Sequence, residues 1–289
     1  MQRRLSLILA AMSLVLAACG DGDVGAETTA AAEGCAVEDL NLVNPGQLTV
    51  ATGEPVFPPW MGVGDDNFDV PESGTGFEGA LVYELANRLG FSDDQVTFVR
   101  TGFDEAIAPG PKDWDFNIQQ YSITAERDEV VDFSDPYYTT RQALVTYPDS
   151  PFADARTVED LKDAVLGAAI GTTSLDFIED VIQPDTEASV YDENVDVEAA
   201  MNAGQIDGLV VDLPTAYFIT AVQVEGSIIA GQFEAEAADP DDYGLLFAEG
   251  SPLVECVNQV VAEMREDGTL QTLEDEWLTQ EGGVPTITG

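Results

Sequence analysis

The residue types that this sequence lacks limit the chemistry that its side chains can perform. The 289 residues contain no histidine, which excludes Ser-His and Cys-His catalysis, histidine metal sites and imidazole pH switching. Ten basic residues stand against 55 acidic ones, and the formal net charge of −45 would repel a phosphate backbone. We therefore expect no nucleic-acid partner, no metal site and no cofactor. The few basic side chains and the well-placed carboxylates remain as candidates for recognition.

The first of the three cysteines follows a segment typical of export. A short cationic start leads into an apolar run from Leu5 to Ala18, which is too short for a transmembrane helix. The run ends in a sequence that resembles the bacterial lipobox, so residues 1–18 are predicted to be a signal peptide and Cys19 the lipidated residue. The alternative is an ordinary signal peptide with a chance cysteine. Small and polar residues 19–36 then predict a flexible tether.

Cys35 and Cys256 remain as an even pair in the predicted exported part of the chain. Export implies an oxidising compartment, where such a pair favours a disulfide. Two buried, unpaired cysteines are the alternative.

Short β-prone runs alternate with amphipathic helices, which predicts an α/β fold. Leu48–Thr52 and Val96–Val99 are predicted strands on either side of a helix from Gly79 to Arg88. A similar alternation restarts after residue 141, and the chain length suits two compact units. In the second half, a buried strand ends at Asp212, where ligands of open α/β sheets are expected to bind.

Several motifs, taken together and in order, resemble the family 3 extracellular solute-binding proteins of ABC transporters, whose usual ligands are polar amino acids. They are Gly46–Thr52, Phe57–Trp60, Gly76–Gly79, Asp115–Tyr138, Ile170–Thr173, Asn202–Asp207 with Asp212, and Asp267–Leu270 with Trp277. The resemblance covers nearly all of residues 40–280. It implies the two-lobed type II periplasmic-binding-protein fold, in which each lobe is a mixed, mostly parallel sheet flanked by helices and two strands form the hinge. Residues 37–140 and 243–289 would form lobe 1, and residues 141–242 lobe 2.

The resemblance also implies how a zwitterionic amino acid would be held. Its carboxylate would meet Arg127, whose guanidinium suits a two-bond contact, together with Thr124, Ser122 and Thr173. Its ammonium would meet Asp212, with Ser122 nearby.

Each of these assignments has an ordinary structural alternative. Arg127 could be a surface residue paired with a neighbouring acid. Asp212 precedes a turn containing Pro214, so it could be a helix N-cap. Thr172 and Thr173 could simply cap the next helix.

The predicted pocket for the ligand side chain contains Glu54, Phe57, Phe103, Gln119 and Gln120. Phe57 and Phe103 match positions where the family places aromatic rings around the ligand. Gln119 and Gln120 depart from the small residues that many members carry, so they either read a polar side chain or narrow the site. Trp60 is expected to belong to the core.

We therefore predict the substrate-binding subunit of an ABC importer that binds a free polar amino acid and delivers it to a membrane permease and its ATPase. The protein would be extracytoplasmic, lipid-anchored to the bacterial cell membrane and monomeric. One alternative is an enzyme on the same fold, similar to periplasmic cyclohexadienyl dehydratases, which would need a general acid such as Glu54. Another is a binding protein for a non-proteinogenic, amino-acid-like solute.

Overall fold

The computed structural model describes residues 34–234, 241–278 and 283–289. The predicted signal segment 1–18, the lipidation candidate Cys19 and most of the predicted tether 19–36 lie outside these ranges. The described residues belong to one compact unit. Within the described ranges, no helix is long and apolar enough to cross a bilayer.

The described residues contain thirteen strands. They are β1 (Leu48–Thr52), β2 (Val96–Arg100), β3 (Phe116–Asn117), β4 (Val131–Phe133), β5 (Tyr138–Thr140), β6 (Gln142–Thr146), β7 (Leu166–Ala169), β8 (Ser189–Tyr191), β9 (Gly208–Asp212), β10 (Ile228–Phe233), β11 (Asp241–Tyr243), β12 (Leu246–Ala248) and β13 (Thr286–Ile287).

Seven α-helices accompany the strands in the same ranges. They are α1 (Phe77–Leu89), α2 (Phe103–Ile107), α3 (Thr173–Asp176), α4 (Asn194–Asn202), α5 (Leu213–Phe218), α6 (Leu253–Glu266) and α7 (Thr269–Trp277). Short 3-10 helices cover Pro71–Ser73, Asp93–Gln95, Arg127–Glu129 and Val158–Leu161. Single π-helical segments, Phe177–Ile182 and Ile219–Gln223, extend α3 and α5.

The first lobe is built on a five-stranded sheet of order β2-β1-β3-β12-β4. Strand β1 runs parallel to β2 and β3, while β12 runs antiparallel to β3 and β4. The predicted strand-helix-strand unit is confirmed, since α1 connects β1 to its parallel neighbour. Leu81, Leu85 and Leu89 are buried along one face of α1. The helix ends at Gly90, whose φ of 98° is a conformation that glycine adopts most easily.

The second lobe is built on a six-stranded sheet of order β13-β10-β6-β9-β7-β8. Strand β9 is fully buried, runs parallel to β7 and antiparallel to β6, and ends at Asp212 as predicted. Strand β13 pairs with β10, with Phe233 opposite Ile287. The expectation that residues 243–289 belong entirely to lobe 1 is therefore wrong at the carboxyl end, where Thr286–Ile287 completes the second sheet.

Two antiparallel strands, β5 and β11, form a separate small sheet between the two lobes. The predicted two-strand hinge is thus present. Strands β11 and β12 are divided at Gly244, so that Tyr243 belongs to the hinge and Leu246 to the first lobe. A Cβ at Gly244 would lie 3.1 Å from the Ser134 carbonyl oxygen, so the division occurs where the backbone packs closely.

A disulfide joins Cys35 to Cys256, which confirms the predicted pairing. It attaches the start of the described chain to α6, and both cysteines are buried in the core that α1 and α6 share with the first sheet. The two cysteines are 221 residues apart in the sequence. A disulfide that closes such a long loop stabilises the folded state relative to the unfolded state by about 2–5 kcal/mol.

Candidate functional site

A cavity of about 400 Å³ lies between the two lobes, a size typical of small-molecule sites. Seven of the predicted site residues line it: Glu54, Phe57, Phe103, Gln119, Gln120, Thr173 and Asp212. Arg127, Ser122 and Thr124 are not among its lining residues. Arg127 and Ser122 contact the wall, since Arg127 contacts Phe103 and Ser122 contacts Thr173, while Thr124 contacts Arg127.

Arg127 begins a 3-10 helix in the first lobe and is buried, with 7% of its surface exposed. Its Nη1 donates to the Ser122 carbonyl at 2.7 Å, and its Nη2 donates to the Gly171 carbonyl of the second lobe at 2.8 Å. The guanidinium carbon lies 5.3 Å from the centre of the Phe103 ring. Arg127 therefore bridges the two lobes and is not a solvated surface residue.

No carboxylate lies within ion-pairing distance of Arg127 in the part of the chain that the structure describes. Burial lowers the pKa of the guanidinium from its usual value, while more distant groups such as Tyr121 and Asp176 raise it. An arginine stays protonated in proteins, so the first lobe holds a buried positive charge next to the cavity. Such a charge is costly unless an anion compensates it.

Ser122 and Thr124 both hydrogen-bond to Arg127, Ser122 at the guanidinium and Thr124 at the backbone. The Thr124 hydroxyl accepts a hydrogen bond from the Arg127 backbone N–H at 3.2 Å, so it stabilises the turn that presents the arginine. The Ser122 hydroxyl lies 3.3 Å from the Thr173 hydroxyl across the cleft. The two lobes are therefore in direct contact at the level of these hydroxyl groups.

Thr172 and Thr173 occupy different positions at the start of α3. Thr172 is the N-cap, and its hydroxyl oxygen accepts from the Leu175 N–H at 3.2 Å. Thr173 is the first residue of the helix and lines the cavity. The capping alternative thus holds for Thr172 and leaves Thr173 facing the cleft.

Gly171 has a φ of 70° and faces the first lobe. A Cβ built there would lie 2.3 Å from Asp104 Oδ1, on α2. Alanine at this position is strained in the left-handed conformation and would also displace the exposed Asp104 side chain; leaving that conformation would move the carbonyl that Arg127 contacts.

We expect Gly171→Ala to weaken binding of a free amino acid by roughly five- to thirtyfold, which corresponds to a strain of about 1–2 kcal/mol. Titration calorimetry measures this change. Gly204→Ala is the matched control, since Gly204 has a similar φ of 66° and open space around it. Equal losses of affinity in the two variants would show that the lobe contact at Gly171 is unimportant.

Asp212 ends β9 and is buried, with 9% of its surface exposed. Its Oδ1 accepts from the Thr215 N–H at 3.0 Å, so it is the N-cap of α5, as the structural alternative for this residue predicts. It also lines the cavity, so the two roles are compatible. Burial raises the pKa of the carboxyl to about 6, the hydrogen bonds from Thr215 lower it, and Asp241 raises it. No basic group within the described ranges pairs with it.

Gln142 connects Asp212 to the hydroxyl groups of the cleft, and sequence reasoning did not find it. It lies opposite Asp212 in the β6–β9 pairing and lines the cavity. Its Nε2 lies 3.5 Å from Thr173 Oγ1 and 2.6 Å from Asp241 Oδ2, and its Oε1 accepts from Ser174 at 2.7 Å. Thr173 and Gln142 therefore link the surroundings of Arg127 to those of Asp212. A glutamine at the start of a strand carries no sequence signal of such a role.

The residues predicted to form the side-chain pocket also line this cavity. Glu54 is exposed, Phe57 is half-buried, and Phe103 stacks on Tyr121 with ring centres 4.5 Å apart. The Gln119 side-chain oxygen accepts from the Tyr121 hydroxyl at 3.2 Å.

Trp60 has two roles. It is buried among Phe77, Tyr138 and Tyr243, in agreement with the core prediction. It also lines the cavity, and its Nε1–H donates to Thr215 Oγ1 of the second lobe at 2.8 Å.

Glu78 is a second functional candidate that sequence reasoning missed. It lies in the first turn of α1, is fully buried and lines the cavity. Burial raises the pKa of its carboxyl to about 7, while hydrogen bonds from Tyr137 and Gln120 lower it and the charge of Asp212 raises it. An acidic residue in the first turn of a helix is usually exposed to solvent and interacts favourably with the helix dipole. The type and position of Glu78 therefore did not indicate that it is buried.

The fold and the cavity define a two-lobed solute-binding protein. The chain belongs to the bacterial extracellular solute-binding proteins of family 3, whose model matches residues 48–280.

Individual relatives agree with this assignment. The L-cystine-binding protein TcyJ of Escherichia coli (strain K12) is 29% identical over 242 residues, which cover 83% of this chain and 85% of the relative. A mutant of ArgBP from T. maritima is 29% identical, with a TM-score of 0.66 over 81% of this chain and 96% of that one. An ancestral amino acid-binding protein, described as a precursor of cyclohexadienyl dehydratase, is 25% identical, with a TM-score of 0.65 over 81% and 96%.

Proposed function

We propose that this protein binds one free amino acid between its lobes and delivers it to a membrane permease. The observation that carries the proposal is a pair of buried, opposite charges at one cleft, Arg127 from the first lobe and Asp212 from the second. Neither has an ion-pair partner within the described ranges. A zwitterion supplies the counter-charge that each of them requires.

The carboxylate of the amino acid would bind Arg127, with hydroxyl or backbone donors from Ser122, Thr124 and Thr173. A guanidinium has five N–H groups, and the contacts to Ser122 and Gly171 use two of them. Phe103, which Arg127 contacts, and Thr173, which Ser122 contacts, line the cavity from opposite lobes. A carboxylate entering at this point would therefore displace contacts that now join the lobes directly.

The ammonium would bind Asp212, with Ser122 nearby. Thr215 uses Asp212 Oδ1 for the helix cap, and a carboxylate has two oxygens with about four acceptor sites in all. Capping therefore leaves acceptor capacity for an ammonium group. Because the two charges of the ligand bind opposite lobes, the ligand favours the closed state over the open one by differential affinity.

The side chain of the amino acid would lie among Glu54, Phe57, Phe103, Gln119 and Gln120. Aromatic rings with a few polar groups are typical of a pocket that binds a polar side chain. The partners proposed are an ABC permease with its ATPase, and a bacterial cell membrane to which Cys19 anchors the monomer on the extracytoplasmic side.

A thermal-shift panel of the twenty free amino acids, followed by calorimetry on the positive members, tests the proposal. Ligands that bind only the folded state raise its melting temperature. We expect a 1:1 complex with at least one amino acid. An absence of binding across the whole panel would overturn the proposal for proteinogenic ligands. Incubation with prephenate or arogenate, with detection of an aromatic product, tests the enzymatic alternative in the same preparation.

A further inference from the structure

The carboxylate of Glu78 makes a dense set of contacts at the cavity. Its Oε1 accepts from the Gln120 backbone N–H at 2.9 Å and from the Tyr137 hydroxyl. Its Oε2 accepts from Gln120 Nε2. Gln120 is thus held twice by one side chain, through its backbone and through its amide.

Gln120 needs such support because its backbone is in an uncommon conformation. Its φ is 51°, which places a non-glycine residue in the left-handed region. It lies between β3, which belongs to the first sheet, and Ser122, which contacts Thr173 of the second lobe. The conformation of this one residue therefore sets the direction of Gln119 on one side and of Ser122 on the other.

We propose that Glu78 is a positioning residue for ligand binding, which holds Gln120 in its left-handed conformation and so fixes residues 119–122 as one wall of the cleft. This inference rests on the proposed function, since it concerns the same cavity. Glu78 acts through Gln120 rather than by contacting the ligand. Its loss should therefore weaken binding most for amino acids whose side chains lie against Gln119 and Gln120.

The positioning role of Glu78 can be distinguished from a role in stability, because other contacts than those of its carboxylate hold α1 in the first lobe. The Glu78 backbone N–H donates to the Trp60 carbonyl at 2.8 Å, and the apolar residues of α1 pack in the first-lobe core. Replacing the carboxylate leaves these contacts in place. Glu78→Met removes both acceptor oxygens with little change of volume, so the double contact to Gln120 is lost.

A double-mutant cycle on the full chain tests the proposal, with the panel amino acid that raises the wild-type melting temperature most as the probe. Glu78→Met should weaken its binding by about tenfold or more. Gln120→Gly removes the need for support, because glycine adopts a positive φ without strain. In that background, Glu78→Met should cost less than about threefold, so the two changes are strongly non-additive. Tyr137→Phe removes a contact to Glu78 while leaving Gln120 held, and should change affinity little.

The outcomes distinguish this inference from the proposed function. If the wild type binds no panel member, both are overturned. If the wild type binds and Glu78→Met lowers only the melting temperature of the free protein, with affinity unchanged, Glu78 is merely structural. Additive losses in the cycle would also overturn the positioning role.

Discussion

Replacing Arg127 with alanine is expected to reduce affinity for a free amino acid by roughly 100- to 5,000-fold. Removing one member of a buried charge pair costs about 3–5 kcal/mol, because the other charge is left without its partner. In this cleft, the guanidinium is the buried cation placed at the contact between the lobes. The bound carboxylate of an Arg127→Ala variant would face Phe103 and two threonine hydroxyls without a positive charge. Calorimetry on the panel amino acids measures the loss.

Two further variants isolate the cause of that loss. Arg127→Lys keeps a positive charge but cannot make two parallel hydrogen bonds, so an intermediate affinity is expected. Arg88→Ala removes an arginine that pairs with Glu84 and Asp267 outside the cavity, and should leave affinity within about twofold of the wild type. An Arg127→Ala variant that binds as tightly as the Arg88→Ala control would disprove the proposed carboxylate contact.

Replacing Asp212 with asparagine is expected to weaken binding by roughly 30- to 1,000-fold, a cost of about 2–4 kcal/mol. Asparagine is as good an N-cap as aspartate, so α5 keeps its first turn while the negative charge is lost. The variant therefore separates the capping role from the ligand role. If binding were unchanged and only the melting temperature fell, Asp212 would be a cap and nothing more.

The matched control for this change is Asp132→Asn. Asp132 also accepts backbone hydrogen bonds, from Gly250 at 2.7 Å and Ser251 at 3.2 Å, but it does not line the cavity. Its loss of charge should leave affinity within about twofold of the wild type.

The affinity for the amino acid should also change with pH, because it depends on the ionisation of the Asp212 carboxyl. In the free protein the pKa of Asp212 is raised to about 6, chiefly by burial, and a bound ammonium favours the ionised form. Binding below pH 6 therefore requires the loss of a proton. Affinity should fall as the pH is lowered from 7 to 5, by up to about tenfold per pH unit below 6. This component should be absent from the Asp212→Asn variant.

Much of the architecture could be predicted from local sequence. Helix α1 combines leucines at a spacing of four with a terminal glycine, and β9 is a buried run that ends in an acid before a proline turn. Strand β13 could not be predicted, because two residues have no periodicity and its partner β10 lies far back in the chain. The division at Gly244 likewise depends on close packing against Ser134, which belongs to another segment.

The candidate site shows the same division between local and distant causes. Asp212 could be placed because its position at the end of a strand is a local property. The burial of Arg127 behind the cavity wall depends on how the second lobe brings Gly171 to it. The importance of Glu78 and Gln142 arises wholly from contacts with residues that are distant in sequence, such as Tyr137 and Ser174.

The central claim is that each lobe neutralises one end of the same dipolar solute. Its most direct test is calorimetry with three compounds: the best amino acid of the panel, its primary amide, which lacks the carboxylate, and its des-amino analogue, which lacks the ammonium. The wild type should lose at least about 100-fold for either analogue. The Arg127→Ala variant should bind the amide almost as well as the wild type does. The Asp212→Asn variant should likewise bind the des-amino compound almost as well as the wild type does. Comparable wild-type affinity for all three compounds would contradict the account.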